Sequence, residues 1–272
     1  MVRRWVVLVL AVVAGLVVAG AWIGVRRALR DYGSSRGATV DRFTLHSRLT
    51  HRDLHEILVV PEGGGHRREL LVFLHGRGSA PSSNLRQPLF DELHALGHRA
   101  PVILFADGGD HSYWHDRRDG RWGTSVLREA IPAALRRSGA NPRRVAIGGI
   151  SMGGFGALDL ARLTPGRFCA VGAHSPALWF AGAQTPAGAF DDAEDFSRHN
   201  VLGAARLAKI YGVPVWIDVG TADPFVRADS ILARELANQG TRVSLHIHRG
   251  GHGGWSKRMP QYLRFYVAAC AQ

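Results

Sequence analysis

The sequence predicts an α/β protein built on a mostly parallel sheet of about eight strands, with helices on its faces. Three observations carry that expectation. Runs such as Leu70–Leu74 and Val102–Ala106 are apolar throughout, as strands buried on both faces must be. Amphipathic stretches of helical length separate successive runs, the rhythm of crossover connections. The 272 residues, 46% of them hydrophobic, suffice for one large core and exclude disorder as the main state.

Taken in order, residues 1–30 read as a membrane-directed segment, 31–41 as a linker and 42–272 as one folded domain. Trp5 to Val25 carries no charge, and at ~1.5 Å per residue it matches the ~30 Å hydrocarbon core. Arg3 and Arg4 precede it; Arg26, Arg27 and Arg30 follow it. It is either an uncleaved anchor or a signal peptide cut after Ala19-Gly20-Ala21. Trp22, Ile23 and Val25 prolong the apolar run and favour the anchor. The near-equal basic flanks leave orientation unset. A single-pass membrane protein with its folded domain outside the cytoplasm is expected, or a secreted one if the segment is removed. No other run is long enough to span a bilayer, which excludes a polytopic protein.

Strands are expected over Arg42–Ser47, Leu54–Val60, Leu70–His75, Val102–Ala106, Arg144–Ile150, Phe168–Ala173, Val213–Val219 and Val243–His248. The Gly63-Gly64-Gly65 turn points to an antiparallel hairpin of the second and third. Helices are expected over Asn84–Leu96, Ser125–Arg137, Met152–Leu163, Ala228–Asn238 and Ser256–Ala269. Pro176 to Ile210 is rich in Ala, Gly and Pro, then acidic, and reads as an excursion over the sheet. The net charge of +12 is almost all Arg, and its pairs (67–68, 117–118, 136–137, 143–144) are scattered without interleaved aromatics. No nucleic-acid partner is expected. Cys169 and Cys270, about a hundred residues apart, are expected as unpaired thiols.

Chemistry enters at Gly149-Ile150-Ser151-Met152-Gly153, between an apolar strand and a helical stretch. Glycines two before and two after a serine let strand and helix approach, so that the hydroxyl stands above the sheet at a helix N-terminus. A base and an acid are then required later in the chain, in the order serine, acid, histidine. His252 sits in Arg249-Gly250-Gly251-His252-Gly253-Gly254, after the last strand, where glycines let the loop fold back. Asp223 follows the Val213–Val219 strand in Gly220-Thr221-Ala222-Asp223-Pro224. Asp218 lies inside that strand, and His246 and His248 inside the last one, where structural roles are expected. Two backbone N–H groups would hold the oxyanion: Met152, after the nucleophile, and Arg77, in the loop His75-Gly76-Arg77-Gly78-Ser79. His111 and His115 share helical spacing, but no third ligand accompanies them, and neither a metal nor a cofactor is expected.

Phe73–Gly78, Asp107-Gly108-Gly109, Glu129-Ala130-Ile131-Pro132, Gly149–Ala157, Gly220–Phe225 and Gly251-His252 together resemble the esterase D/putative esterase family. That family of α/β-hydrolases includes feruloyl esterases, S-formylglutathione hydrolases and mycolyltransferases of the antigen 85 type. The resemblance runs from about Leu54 to Trp255. It implies an α/β-hydrolase fold and a Ser151-Asp223-His252 triad that forms an acyl-enzyme on a small-molecule or lipid ester. It also implies that Trp114, Arg121 and Trp122 line the acyl or leaving-group side. Acyl transfer to a sugar or lipid alcohol is the alternative on the same intermediate; a non-catalytic envelope binding protein is the alternative from another class.

Overall fold

Side-chain alternation in the central strands decides the layers. Leu70, Val72 and Leu74 belong to one hydrophobic layer, while Leu71 and Phe73 belong to the other. In the computed structural model, residues 34–271 are described. The segment expected over residues 1–30 lies outside the described residues. No helix among the described residues is long and apolar enough to cross a membrane.

The strands are β1 (Thr39–Ser47), β2 (Arg52–Val60), β3 (Leu70–Leu74), β4 (Val102–Ala106), β5 (Asp116–Arg117), β6 (Gly120–Arg121), β7 (Val145–Ile150), β8 (Val171–His174), β9 (Val215–Gly220) and β10 (Val243–His248). Eight of them form one sheet in the order β1-β2-β4-β3-β7-β8-β9-β10. It is parallel from β4 to β10 and antiparallel at β1–β2 and β2–β4. The short β5 and β6 pair separately. One face is covered by α3 (Ile131–Ser138), α4 (Met152–Leu163) and α7 (Val226–Asn238), the other by α1 (Gln87–Leu96) and α8 (Trp255–Cys270). Before α3 come α2 (Trp122–Ser125) and a π turn over Val126–Ala130. Pro132 has no N–H to return to the preceding turn, which accounts for the widened winding there.

Three expectations are corrected. The Gly63-Gly64-Gly65 turn closes no hairpin, because β4 lies between β2 and β3. The fully apolar β3 needs a central place, and the half-exposed β1 takes the edge beside β2. Cys169 and Cys270 form a disulfide with Cα atoms 5.1 Å apart, since α8 ends where β8 begins. Part of the expected linker is structured: β1 starts at Thr39, and Arg36 pairs with Asp91 of α1 at 2.9 Å. The excursion carries α5 (Ala193–Arg198) and α6 (Val201–Leu207); its acidic run caps the first, and Asn200 caps the second by accepting from the Gly203 N–H. Asp192 accepts from the Asp195 N–H at the start of α5, where Glu194 and Asp195 also complement the helix dipole.

Candidate active site

The chain leaves β7 at Ile150, and Ser151 takes φ 55° and ψ −112° before α4 begins. A non-glycine residue is strained there and persists only where its surroundings hold it. The Ser151 N–H donates to the His174 carbonyl at 2.9 Å, and its own carbonyl accepts from Phe155 and Ala177 at 3.0 and 3.1 Å. Glycine permits the crossing beneath it. A Cβ on Gly149 would lie 2.5 Å from the Gly153 carbonyl carbon, and one on Gly153 would strike the Leu74 carbonyl oxygen.

Ser151 Oγ lies 2.9 Å from His252 Nε2, and His252 Nδ1 lies 2.8 Å from Asp223 Oδ2. With Nδ1–H donating to the carboxylate, Nε2 is left as the acceptor for the serine proton; this tautomer is assigned from its partners. Asp223 is buried in the loop after β9, and its other oxygen accepts from the Phe225 N–H at 2.9 Å. Burial alone would raise its pKa, but hydrogen bonds from His252, the Phe225 N–H and Ser175 hold it below the usual carboxylate value. Phe225 and Trp255 pack edge-on against the imidazole, with centroids at 5.4 and 5.1 Å. Asp218 turns instead toward α8, accepting from the Tyr262 hydroxyl at 2.8 Å and bonding His174 Nδ1 at 2.6 Å. His246 stacks on Trp216 at 3.6 Å.

Met152 N–H opens α4 and so has no acceptor within the helix. Opposite, Gly76 lies so close that a Cβ on it would be 3.6 Å from Ser151 Cβ, which places the Arg77 backbone beside Ser151. The His75 ring anchors this loop: Nδ1–H donates to the Gly76 carbonyl (2.9 Å), and Nε2 accepts from the Gly108 N–H (3.1 Å). Burial lowers its pKa, against the pull of the Gly76 carbonyl and the Asp107 carboxylate.

Trp114, expected on the substrate wall, is fully buried and donates its indole N–H to the His75 carbonyl at 3.2 Å. The slot that takes it exists because residues 108 and 156 are glycine. A Cβ at Gly108 would sit 2.6 Å from the ring, and one at Gly156 would strike it. Arg121 and Trp122 are also displaced from the expected wall. Arg121 pairs with Asp116 at 3.3 Å and borders a surface depression with Arg48, Arg117 and Arg118. Trp122 is buried, donates to Asp119 at 3.2 Å and carries the Arg52 guanidinium 5.1 Å above its ring.

A cavity of about 690 Å³ opens over Ser151 and His252. Its wall is the Gly76–Ser79 loop, then Ser83, Asn84 and Arg86, and across from them Ile150, Gly254, Trp255 and Ser256. Sequence reasoning missed Ser83, Asn84, Arg86, Trp255 and Ser256. A signal existed for the first two, as the polar turn Pro81-Ser82-Ser83-Asn84 follows the oxyanion loop directly.

A family model described as Putative esterase matches residues 48–260. No curated protein matches the chain in sequence. Among solved structures, a ferulic acid esterase superposes with a TM-score of 0.74 at 20% identity, over 85% of this chain and 98% of its own. An S-formylglutathione hydrolase from Agrobacterium tumefaciens gives 0.72 at 18% identity, over 88% and 98%. Fluorophosphonate-binding serine hydrolase F of Staphylococcus aureus gives 0.69 at 15% identity, over 85% and 98%. At such identities the structural likeness is one of fold, an α/β-hydrolase sheet with its helices. The family match spans Ser151, the Gly76–Ser79 loop, Asp223 and His252: the chain belongs to the Putative esterase family and is a carboxylic-ester hydrolase.

Proposed function

We propose that Ser151, His252 and Asp223 are the catalytic triad of this hydrolase, acting outside the cytoplasm on small esters with a polar or anionic acid or alcohol part. The observation that carries the reading is the hydrogen-bonded line from Ser151 through His252 to Asp223, at 2.9 and 2.8 Å, built on a strained turn. His252 takes the hydroxyl proton as Oγ attacks the ester carbonyl, and Asp223 stabilises the imidazolium. The oxyanion meets the N–H groups of Met152 and Arg77, each worth roughly 2.7–4 kcal/mol in comparable sites. Collapse expels the alcohol, which takes its proton from His252, and water then releases the acid through the same steps.

The polar wall supports the substrate class. Ser79, Ser83, Asn84, Arg77 and Arg86 offer hydrogen bonds and positive charge to such a substrate. The disulfide supports export, because such bonds persist in oxidising compartments. Attachment to the membrane through residues 5–25 belongs to the same proposal.

The test is a chain-length series of nitrophenyl esters beside Ser151→Ala, with fluorophosphonate labelling. Turnover is expected to peak at short chains, to be faster for anionic esters at low ionic strength, and to vanish with labelling in the variant. Turnover retained by Ser151→Ala overturns the triad; a peak at long chains overturns the substrate class.

A further inference from the structure

Away from the triad, three side chains that the reaction does not use converge. His115 lies in the loop before β5, Asp195 in α5, and His199 one residue past it. One donor atom from each lies within 4.8 Å of the other two. His115 Nε2 stands 3.1 Å from Asp195 Oδ2, and His199 Nε2 stands 3.6 Å from Asp195 Oδ1. A tetrahedral zinc site with bonds of ~2.0–2.1 Å has ligand atoms ~3.3 Å apart, between those two values.

The outer side of each ring is already held. His199 Nδ1 donates to Asp159 of α4 at 2.6 Å, and His115 Nδ1 faces the Tyr113 carbonyl at 3.4 Å. Oxygen acceptors on Nδ1 turn the Nε2 lone pairs inward, the second-shell arrangement that orients histidine on a metal. Two lone pairs and a carboxylate therefore meet in a place where His115 and Asp195 are buried and the His199 side chain is 12% exposed. Such a convergence requires protons or a cation.

We propose that His115, Asp195 and His199 bind one divalent transition-metal ion of zinc's class. Two imidazoles and a single carboxylate suit a borderline ion, and not magnesium or calcium, which take oxygen ligands. A fourth position is left for water. Asp195 keeps its further bonds, from the Asp191 N–H at 2.8 Å and from Arg198 at 3.3 Å. The ion would clamp the excursion to the loop before β5, while the His199–Asp159 bond ties the same place to α4. His111 is exposed and takes no part; the ligands that the sequence pattern lacked arrive from some eighty residues downstream. None of this depends on the proposed triad.

The test uses the untagged full chain, freed of metal by a chelator and titrated with Co²⁺ under visible absorption. Bands of four-coordinate Co²⁺ are expected to saturate at one ion per chain and to be displaced by Zn²⁺. His199→Gln and Asp195→Asn, checked for cooperative unfolding, are each expected to weaken binding at least tenfold. Absence of a saturable band, or a band unchanged in both variants, overturns the proposal. Where the variants do not fold, the wild-type Co²⁺ complex decides: hyperfine-shifted ring N–H signals from two histidines support the site, and one or none overturns it.

Discussion

Ser151 hangs from His174, its N–H donating to the His174 carbonyl over 2.9 Å. The His174 imidazole is itself wholly buried, bonded to Asp218 at 2.6 Å and to the Tyr266 hydroxyl at 3.0 Å, and stacked on Tyr262 at 3.5 Å. Both tyrosines belong to α8, the helix that follows the His252 loop. Ser151 and the loop of His252 thus stand on one buried polar set.

Tyr262→Phe removes the donor to Asp218 and leaves one carboxylate oxygen short of a bond made at 2.8 Å. A loss of about 1.5–3 kcal/mol is expected, the usual range for a hydrogen bond to a charged group. Denaturant unfolding with an unchanged slope measures it. An unaltered midpoint would show that the set does not bear on stability.

Asp223→Asn keeps the shape beside His252 and removes the charge that selects its tautomer. A fall in kcat of about 10³–10⁴ with little change in KM is expected. Steady-state kinetics on a nitrophenyl ester check it, and a loss below tenfold would contradict the role assigned to Asp223.

Gly153→Ala places a Cβ against the Leu74 carbonyl oxygen. Overpacking of this kind costs about 1–3 kcal/mol or more and moves the turn that holds Ser151. Both the thermal midpoint and kcat are expected to fall, whereas Gly166→Ala, in open space, is expected to leave kcat unchanged.

Asp229 is buried in α7 with neither carboxylate oxygen hydrogen-bonded among the described residues. Burial, and after it the charges of Asp223 and Asp218, push its pKa well above the usual value. A raised folded pKa gives stability that is complete below the unfolded value of ~3.9 and is lost as pH rises through the folded one. Asp229→Asn cannot ionise, so its thermal midpoint is expected to match wild type near pH 4 and to exceed it increasingly toward pH 8. Parallel curves would refute the buried acid.

Replacing Cys169 and Cys270 by serine, or adding reductant, opens a link across 101 residues. About 2–4 kcal/mol of stability is expected to go, with activity at 25 °C retained. Thermal unfolding with and without reductant reads the difference.

The serine turn was legible because its residues are contiguous: Gly149, Ser151 and Gly153 fall within five positions between a strand and a helix. The loops bearing Asp223 and His252 were legible because each follows a strand-like run, apolar in β9 and alternating in β10. What stayed hidden depends on where distant segments land. Trp114 looks exposed beside the Asp107-Gly108-Gly109 loop until the fold brings Gly156 beneath it. His115 has no visible partner until α5 and His199 cross above α4. The cysteine pair depends on α8 returning to the start of β8, a meeting that no local pattern announces.

That pairing has a further consequence for the chain as a covalent object. Asp223 and His252 lie inside the ring that the disulfide closes, while Ser151 lies outside it. A single proteolytic cut between the ring's start and His252, such as in the exposed turns around Gln184, would leave two fragments that cannot diffuse apart. The half with Ser151 and the half with His252 would remain one molecule, so a nicked enzyme keeps its parts together until it is also reduced.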